Sequence, residues 1–145
     1  MSAELIAAAR TAAHYAYAPY SGFGVGAALL LIDGSIITGT NFENASYGLS
    51  LCAETVALAT ANTAGRLSDV RSVAIIGGRI IDGRISGSDP VRPCGRCRQM
   101  LNEAAQLAGH DLIVHCVSAD GTIVEQHNLS ALLPYAFGPD DLKPR

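Results

Sequence analysis

The sequence lacks the features of membrane, secreted and polynucleotide-binding proteins. No apolar run reaches the ~18 residues that span a bilayer, so no membrane partner is expected. Residues 1–4 contain no basic side chain, which argues against a secretory signal and for a cytoplasmic location. Acidic residues number 13 against 10 lysines and arginines, a net charge of −3. A polynucleotide partner would instead favour a basic surface.

Internal repeats, low-complexity tracts and linkers are also lacking. A chain of 145 residues is of ordinary size for one domain, and 49% of its residues are apolar, which is ample for a hydrophobic core. We therefore expect a single domain over residues 1–145.

Cysteine is scarce, but three of the four cysteines have the spacing of metal ligands. Cys94 and Cys97 form a C-x-x-C pair, which lets two sulfurs bind one ion, and Cys52 lies two residues before Glu54. In a cytosolic chain, metal binding is a better interpretation than disulfide formation. Three protein ligands are what a catalytic zinc needs, because its fourth position stays open for water.

Helix-like and strand-like segments alternate along the chain. The helices are predicted over residues 2–17, 53–64, 94–108 and 129–134, and the strands over 24–32, 35–41, 70–78, 112–118 and 122–126. Residues 79–91 are predicted as a loop or minor hairpin, small residues at 24–28 indicate close packing, and Cys116 is expected in the core. This alternation predicts an α/β fold, a three-layer α/β/α sandwich with a mixed, about five-stranded sheet.

The three thiols and Glu54 would support hydrolytic deamination. A Cys or His followed two residues later by Glu, and then by Pro-Cys-x-x-Cys, is typical of zinc deaminases, in which the Glu is not a ligand. Glu54 could accept a proton from zinc-bound water and pass it to a ring nitrogen and then to the leaving amine. The alternative is a structural zinc, with Glu54 merely complementing the dipole of a helix N-terminus.

Five motifs in order resemble the cytidine deaminase family in its short, homotetrameric form, and together they extend over nearly the whole chain. They are PYSGFGVGAA (19–28), NFENASYG (41–48), CAE (52–54), PCGRCRQ (93–99) and LLPYAFGPDDL (132–142). The resemblance implies that Cys52, Cys94 and Cys97 bind one Zn²⁺ per chain and that Glu54 is the catalytic proton shuttle.

The resemblance also implies the substrate contacts. Phe23 would lie against the pyrimidine, Asn41 and Glu43 would hold the ribose 3′-hydroxyl, the main chain of Ala53 would contact the base, and Phe137 and Tyr47 would reach into a neighbouring subunit's site. From the residues alone, a core position is the favoured interpretation for the two phenylalanines, while Asn41 could be a turn residue and Glu43 a solvated loop carboxylate.

The function that this implies is deamination of cytidine and deoxycytidine to uridine and deoxyuridine plus ammonia, by a zinc-bound hydroxide, in pyrimidine salvage. One alternative is a deaminase of another small aminated base or modified nucleoside, of the blasticidin type. Another is a zinc-stabilised module that binds nucleosides without turnover. A polynucleotide substrate is not expected, because a 3′-hydroxyl buried against Glu43 leaves no exit for a strand.

One position departs from the family pattern. Many members have Arg directly after the catalytic Glu, where it contacts the thiolates, whereas this chain has Thr55. Zn²⁺ and three thiolates carry a net negative charge that something must offset. We expect Arg96 or Arg98 to do so through an N–H···S contact, although Arg96 could equally be a solvated surface residue.

Overall fold

The computed structural model describes residues 2–144. In chain order, its helices and longer strands are α1 (Ser2–Ala13), β1 (Phe23–Leu31), β2 (Ile36–Thr40), α2 (Ala53–Thr63), β3 (Val70–Ile81), β4 (Arg84–Ser86), α3 (Gly95–Ala108), β5 (Ile113–Ser118), β6 (Val124–Asn128) and α4 (Leu129–Leu132).

The strands in the described part of the chain form one mixed sheet in the order β2-β1-β3-β5-β6, with β4 paired to the far end of β3. β3 and β5 run parallel and are joined through α3, whereas the other pairs are antiparallel. The predicted mixed sheet is confirmed, but it has six strands rather than about five. The extra strand forms because β3 continues to Ile81 and turns back through Asp82 and Gly83, so the minor hairpin allowed for residues 79–91 is present.

Helices cover both faces of the sheet, which confirms the three-layer sandwich. On one face, alternate residues of β1 and β3 such as Leu29 and Ile75 pack with α2 and α3. On the other face, Ala28 and Ile76 pack with α1. Cys116 lies on the α2/α3 face with no exposed surface, as expected for a core thiol.

The small residues of β1 allow α1 to lie directly on the sheet. A Cβ atom at Gly26 would be only 1.9 Å from the Ala9 carbonyl oxygen, so this position accommodates no side chain. The close packing predicted for residues 24–28 is therefore confirmed.

The first helix is shorter than predicted, ending at Ala13 instead of near Tyr17. The amides of residues 14–16 bond to carbonyls three residues back, and the Tyr17 amide then donates to the Asn41 carbonyl at 3.1 Å. Pairing with the chain beyond β2 thus draws Tyr17 out of the helix. None of the helices within residues 2–144 combines the length and apolar character that crossing a bilayer would require.

Candidate active site

The N-termini of α2 and α3 bring three thiols together. Cys52 is the N-cap residue of α2 and Cys94 that of α3, both in extended backbone conformation, while Cys97 lies in the first turn of α3. The partial positive charge at a helix N-terminus stabilises thiolate over thiol. Two helix ends therefore favour the anionic form of the same cluster.

The spacing of the sulfur atoms fits a tetrahedral metal ion. The three Sγ atoms lie within 4.8 Å of one another, and those of Cys52 and Cys94 are 3.9 Å apart. Zn–S bonds of ~2.3 Å in tetrahedral geometry require S···S distances of ~3.8 Å, so a small contraction would complete the site. Within residues 2–144, no further His, Cys, Asp or Glu joins the group, which leaves the fourth position for water.

The thiols hold protons unequally. The pKa of Cys52 is lowered to about 6, chiefly by its hydrogen bond with Cys97, with a smaller effect from the positive charge of Arg96. The pKa of Cys97 is strongly raised by the same hydrogen bond and by burial. Outside the cluster, burial raises the pKa of Cys116 to about 11. Cys52 therefore ionises more readily than Cys97, and Cys116 stays protonated.

The prediction that Arg96 or Arg98 donates an N–H···S hydrogen bond to a cysteine is wrong. Arg98 donates from Nε to the Pro93 carbonyl at 2.7 Å and from Nη1 to the Leu132 carbonyl at 2.9 Å. Arg96 is exposed and influences Cys52 by charge alone. Across the described residues, neither guanidinium donates a hydrogen bond to sulfur, and Arg98 instead bonds to two backbone carbonyls.

Glu54 is a buried carboxyl beside the thiols. It lies in the first turn of α2 and is only 4% exposed. Burial raises its pKa to about 7, and the nearby Cys52 adds to this, whereas a hydrogen bond with Cys97 opposes it. A carboxyl with a pKa near neutrality can both take up and release a proton, as a general acid–base catalyst must.

A cavity of about 370 Å³ opens above the thiols and Glu54, within the size range of small-molecule sites. Four of the six residues expected to contact substrate line it, namely Phe23, Asn41, Glu43 and Ala53, together with Cys52, Glu54 and Cys94. The structure thus brings residues from β1, the end of β2 and two helix N-termini to one opening.

Glu43 is fixed by three hydrogen bonds. Its Oε1 accepts from the amides of Tyr20 and Ser21 at 3.0 and 3.1 Å, and its Oε2 accepts from the Ser21 hydroxyl. The Ser21 hydroxyl is the main reason that the pKa of Glu43 lies below its usual value. A carboxylate has about four acceptor positions, so one remains for a ligand hydroxyl.

Asn41 connects the end of β2 to the start of β1. Its Oδ1 accepts from the Val25 amide at 2.9 Å, and its Nδ2 donates to the Phe23 carbonyl at 2.8 Å. The Asn41 Oδ1 can accept one more hydrogen bond, and its Nδ2 can donate one more, so both remain available to a ligand. The same contacts hold the backbone of Phe23 at the cavity mouth.

Tyr47 and Phe137 do not line this cavity. The Tyr47 ring packs against Tyr20 with 5.4 Å between ring centroids. The Phe137 side chain is 61% exposed, and its carbonyl accepts hydrogen bonds from Gln99 and Asn102 on α3.

The sequence reasoning missed three polar residues of the cavity wall, namely Ser21, Ser50 and Arg92. Ser21 lies within the first motif, so its position could have been flagged, but its contact with Glu43 could not. Arg92 is next to Pro93 and pairs with Glu125, with one N···O distance of 2.5 Å. That partner is 33 residues away, so no local pattern reveals the pairing.

Comparisons with known proteins agree with this geometry. Residues 1–109 match the family model described as the cytidine and deoxycytidylate deaminase zinc-binding region. The cytidine deaminase of Halalkalibacterium halodurans is 44% identical over 138 residues, 95% of each chain. That of Mycobacterium tuberculosis is 42% identical over 139 residues, 92% of this chain and 87% of its own.

A solved structure shows the same fold. The crystal structure of cytidine deaminase from Burkholderia pseudomallei superposes with a TM-score of 0.81 at 40% identity, covering 94% of this chain and 99% of that one. The family model, the relatives and the fold therefore agree: this chain belongs to the family of zinc-binding cytidine and deoxycytidylate deaminases.

Proposed function

We propose that this protein catalyses the hydrolytic deamination of cytidine and deoxycytidine to uridine and deoxyuridine, with release of ammonia. The observation that carries the proposal is the buried carboxyl of Glu54 beside three convergent thiols at the base of a nucleoside-sized cavity. Cys52, Cys94 and Cys97 would hold one Zn²⁺ per chain.

Glu54 would transfer the protons that the reaction requires. When bound, Zn²⁺ supplies an activated water for attack on the ring carbon that carries the amino group. Glu54 would take a proton from that water, deliver it to the adjacent ring nitrogen, and then assist departure of the amine as ammonia. Its pKa of about 7 suits transfer in both directions. Atoms balance, since one water is consumed and one ammonia leaves.

Four residues would position the nucleoside. Phe23 would lie against the pyrimidine, and the main chain of Ala53 would contact the base. Asn41 and Glu43 would bind the 3′-hydroxyl through the hydrogen-bonding positions that their protein contacts leave free. Support for these roles is that all four residues line one cavity with Glu54.

The same geometry favours a free nucleoside over a polynucleotide. A 3′-hydroxyl donating to Glu43 cannot also be esterified to a following nucleotide. The acidic balance of the chain, −3 at neutral pH, gives phosphates no general attraction. Strand deamination above background would refute this exclusion.

We further propose that the single domain works as a cytoplasmic homotetramer in pyrimidine salvage, with sites completed by neighbouring subunits. Support comes from aromatic side chains left exposed around the cavity, namely Tyr17, Tyr20, Phe42 and Tyr47, and from Phe137 on the tail. Large exposed apolar patches mark interaction surfaces. Light scattering should give four times the 15.0 kDa chain mass.

The first experiment is ammonia release from cytidine by zinc-loaded protein. Glu54→Gln keeps the shape of the side chain but removes the proton carrier, and we expect activity to fall at least ~100-fold while zinc stays bound at one per chain. Glu4→Gln, an exposed change on α1, is the matched control and should match the wild type.

Each other outcome points to a different function. If neither wild type nor variant releases ammonia although zinc is bound, cytidine is not the substrate, and modified nucleosides and other aminated bases are tested next. If those are also inert while cytidine binds equally to both proteins, the domain is a nucleoside-binding module, and the deaminase proposal is wrong.

A further inference from the structure

The position where the family pattern has Arg is filled by Thr55, and its hydroxyl faces a candidate zinc ligand. Thr55 Oγ1 lies 3.8 Å from Cys97 Sγ, within reach of an O–H···S hydrogen bond. We propose that Thr55 donates its hydroxyl proton to the Cys97 thiolate and so offsets part of the charge of the all-cysteine centre. It acts through a ligand and is therefore a positioning residue.

The other helical threonines show that this contact is not the default. Thr11, Thr60 and Thr63 each donate to the carbonyl four residues earlier, at 3.1, 2.9 and 3.0 Å. This is the usual partner of a helical threonine hydroxyl. Within residues 2–144, the side-chain partner found for Thr55 is Cys97 instead.

The start of α2 explains the exception. Thr55 is the third residue after the Cys52 cap, so the residue four earlier, Leu51, lies outside the helix. The Leu51 carbonyl already accepts the Phe42 amide at 2.9 Å. Cys97 occupies the equivalent third place after the Cys94 cap of α3. The two helix starts therefore face each other through these two side chains.

Burial and charge decide the direction of the bond. Thr55 is 8% exposed and Cys97 is fully buried, so water competes little for the hydroxyl. A thiolate bound to a metal has no proton to donate and can only accept. The hydroxyl must therefore donate, and a hydrogen bond to an anion is stronger than one between neutral groups.

Such a bond should change the electronic character of the ligand. A hydrogen bond to a thiolate withdraws electron density from sulfur and stabilises the excess negative charge of the three-thiolate centre. Its loss should therefore leave a more electron-rich sulfur and a less stable anionic metal centre. Partners of this kind, which contact a ligand but not the metal, typically change metal affinity or activity ~10- to 100-fold when removed. Arg98 uses its Nε and Nη1 donors on the carbonyls of Pro93 and Leu132.

The inference rests on the proposed ligand set, so the test reads the metal centre directly rather than turnover. The protein is loaded with Co²⁺, whose thiolate-to-metal charge-transfer absorption reports sulfur donation, and Zn²⁺ affinity is measured by competition with a chelator. Thr55→Val is isosteric without the hydroxyl, and Thr55→Ser restores it. Thr60→Val makes the same change on an exposed part of α2.

We expect Thr55→Val to shift the charge-transfer band to lower energy and to weaken zinc binding ~10-fold, while Thr55→Ser and Thr60→Val match the wild type. A Thr55→Val protein with the wild-type band and affinity would overturn the inference. If Thr55→Val does not fold, Thr55→Ala carries the same expectation. If the Co²⁺-loaded wild type shows no thiolate-to-metal charge transfer, the proposed cysteine ligands are wrong. That outcome refutes the ligand set of the proposed function, and the Thr55 inference with it.

Discussion

A Cβ atom at Gly39 would lie 2.5 Å from the carbonyl oxygen of Ala53, the first residue of α2. The same Cβ would lie 2.5 Å from the Ala57 amide nitrogen one turn later. Strand β2 and helix α2 thus touch backbone to backbone directly below the candidate metal centre. This contact fixes the distance between β2 and the first turn of α2, which carries Glu54.

Gly39→Ala should therefore displace α2 and the catalytic Glu54 that it carries. The colliding atoms belong to the backbone and cannot rotate away, so α2 must move, and overpacking of this kind costs ~1–3 kcal/mol. A displacement of about 1 Å at a catalytic group can lower kcat/KM ~100-fold. Urea denaturation and ammonia release measure the two effects.

Gly48→Ala is the control for Gly39→Ala stability, because a Cβ there meets nothing within 4 Å. Its free energy of unfolding should match that of the wild type. Equal stability of the two variants would show that α2 can withdraw from β2 without cost.

The buried Glu54 should contribute a loss of stability to the metal-free protein as the pH rises. Its pKa is raised from 4.5 to about 7 in the folded state, so the native protein keeps a proton that the unfolded chain releases across that interval. Stability contributed by the protonated form is present below pH 4.5 and lost as the pH rises through about 7.

Glu54→Gln removes this dependence. At pH 8 the metal-free variant should exceed the metal-free wild type in free energy of unfolding by up to ~3 kcal/mol, since one pKa unit corresponds to ~1.4 kcal/mol. At acidic pH, where both side chains are neutral, the two should unfold alike. A difference that does not change between the two pH values would contradict the titration of Glu54.

Ser21→Ala should weaken substrate binding through Glu43. The hydroxyl contact is the largest contribution to the lowered pKa of Glu43, and its loss lets that pKa rise towards 4.5. The Glu43 carboxylate would then be less firmly oriented, so KM for cytidine should rise ~2- to 10-fold with little change in kcat. As the pH is lowered, protonation of Glu43 should raise KM, and this rise should begin at a higher pH in Ser21→Ala than in the wild type.

Ser35→Ala removes a similar bond far from the cavity, where the Ser35 hydroxyl donates to Asp33 Oδ1 at 2.6 Å. Its kinetics should equal those of the wild type. If Ser21→Ala changes KM no more than Ser35→Ala does, Glu43 is oriented by the two backbone amides alone.

Local chemistry made most of the fold predictable. Residues such as Gly109, in the left-handed conformation after α3, ended predicted helices within a residue or two, and the Asp33-Gly34 turn separated the first two strands. The thiols of Cys94 and Cys97 converge because their spacing places both in one helical turn. The addition of Cys52 needed a family pattern, since it lies 42 residues from Cys94.

The side-chain contacts around the candidate site could not be predicted from local sequence patterns, because they join residues that are far apart in the chain. The sequence identified Thr55 as a departure but assigned the compensation to Arg96 or Arg98, whose charge is visible in the sequence. In a sequence, a threonine hydroxyl indicates a partner for a thiolate less clearly than a guanidinium does. Only the packing of the N-termini of α2 and α3 shows that Thr55 lies beside Cys97. The early end of α1 likewise depends on Asn41, which is 24 residues beyond Tyr17.

The tail of the chain is held by α3, and Phe137 does not line its own subunit's cavity. Gln99 Nε2 and Asn102 Nδ2 donate to the Phe137 carbonyl at 2.7 and 3.2 Å, and a Cβ at Gly138 would be 2.6 Å from Gln106. The backbone is therefore fixed while Phe137 stays 61% exposed.

Mixed oligomers can show which site Phe137 serves. Phe137→Ala alone should lose base stacking worth ~1–3 kcal/mol, and Glu54→Gln alone should be nearly inactive. In a co-expressed mixture, a site with Glu54 from one chain and Phe137 from the other is intact. Activity per intact Glu54 should therefore rise above that of the Phe137→Ala homo-oligomer. If Phe137 served its own subunit, every site would lack one of the two residues, and the mixture would do no better than the Phe137→Ala protein it contains.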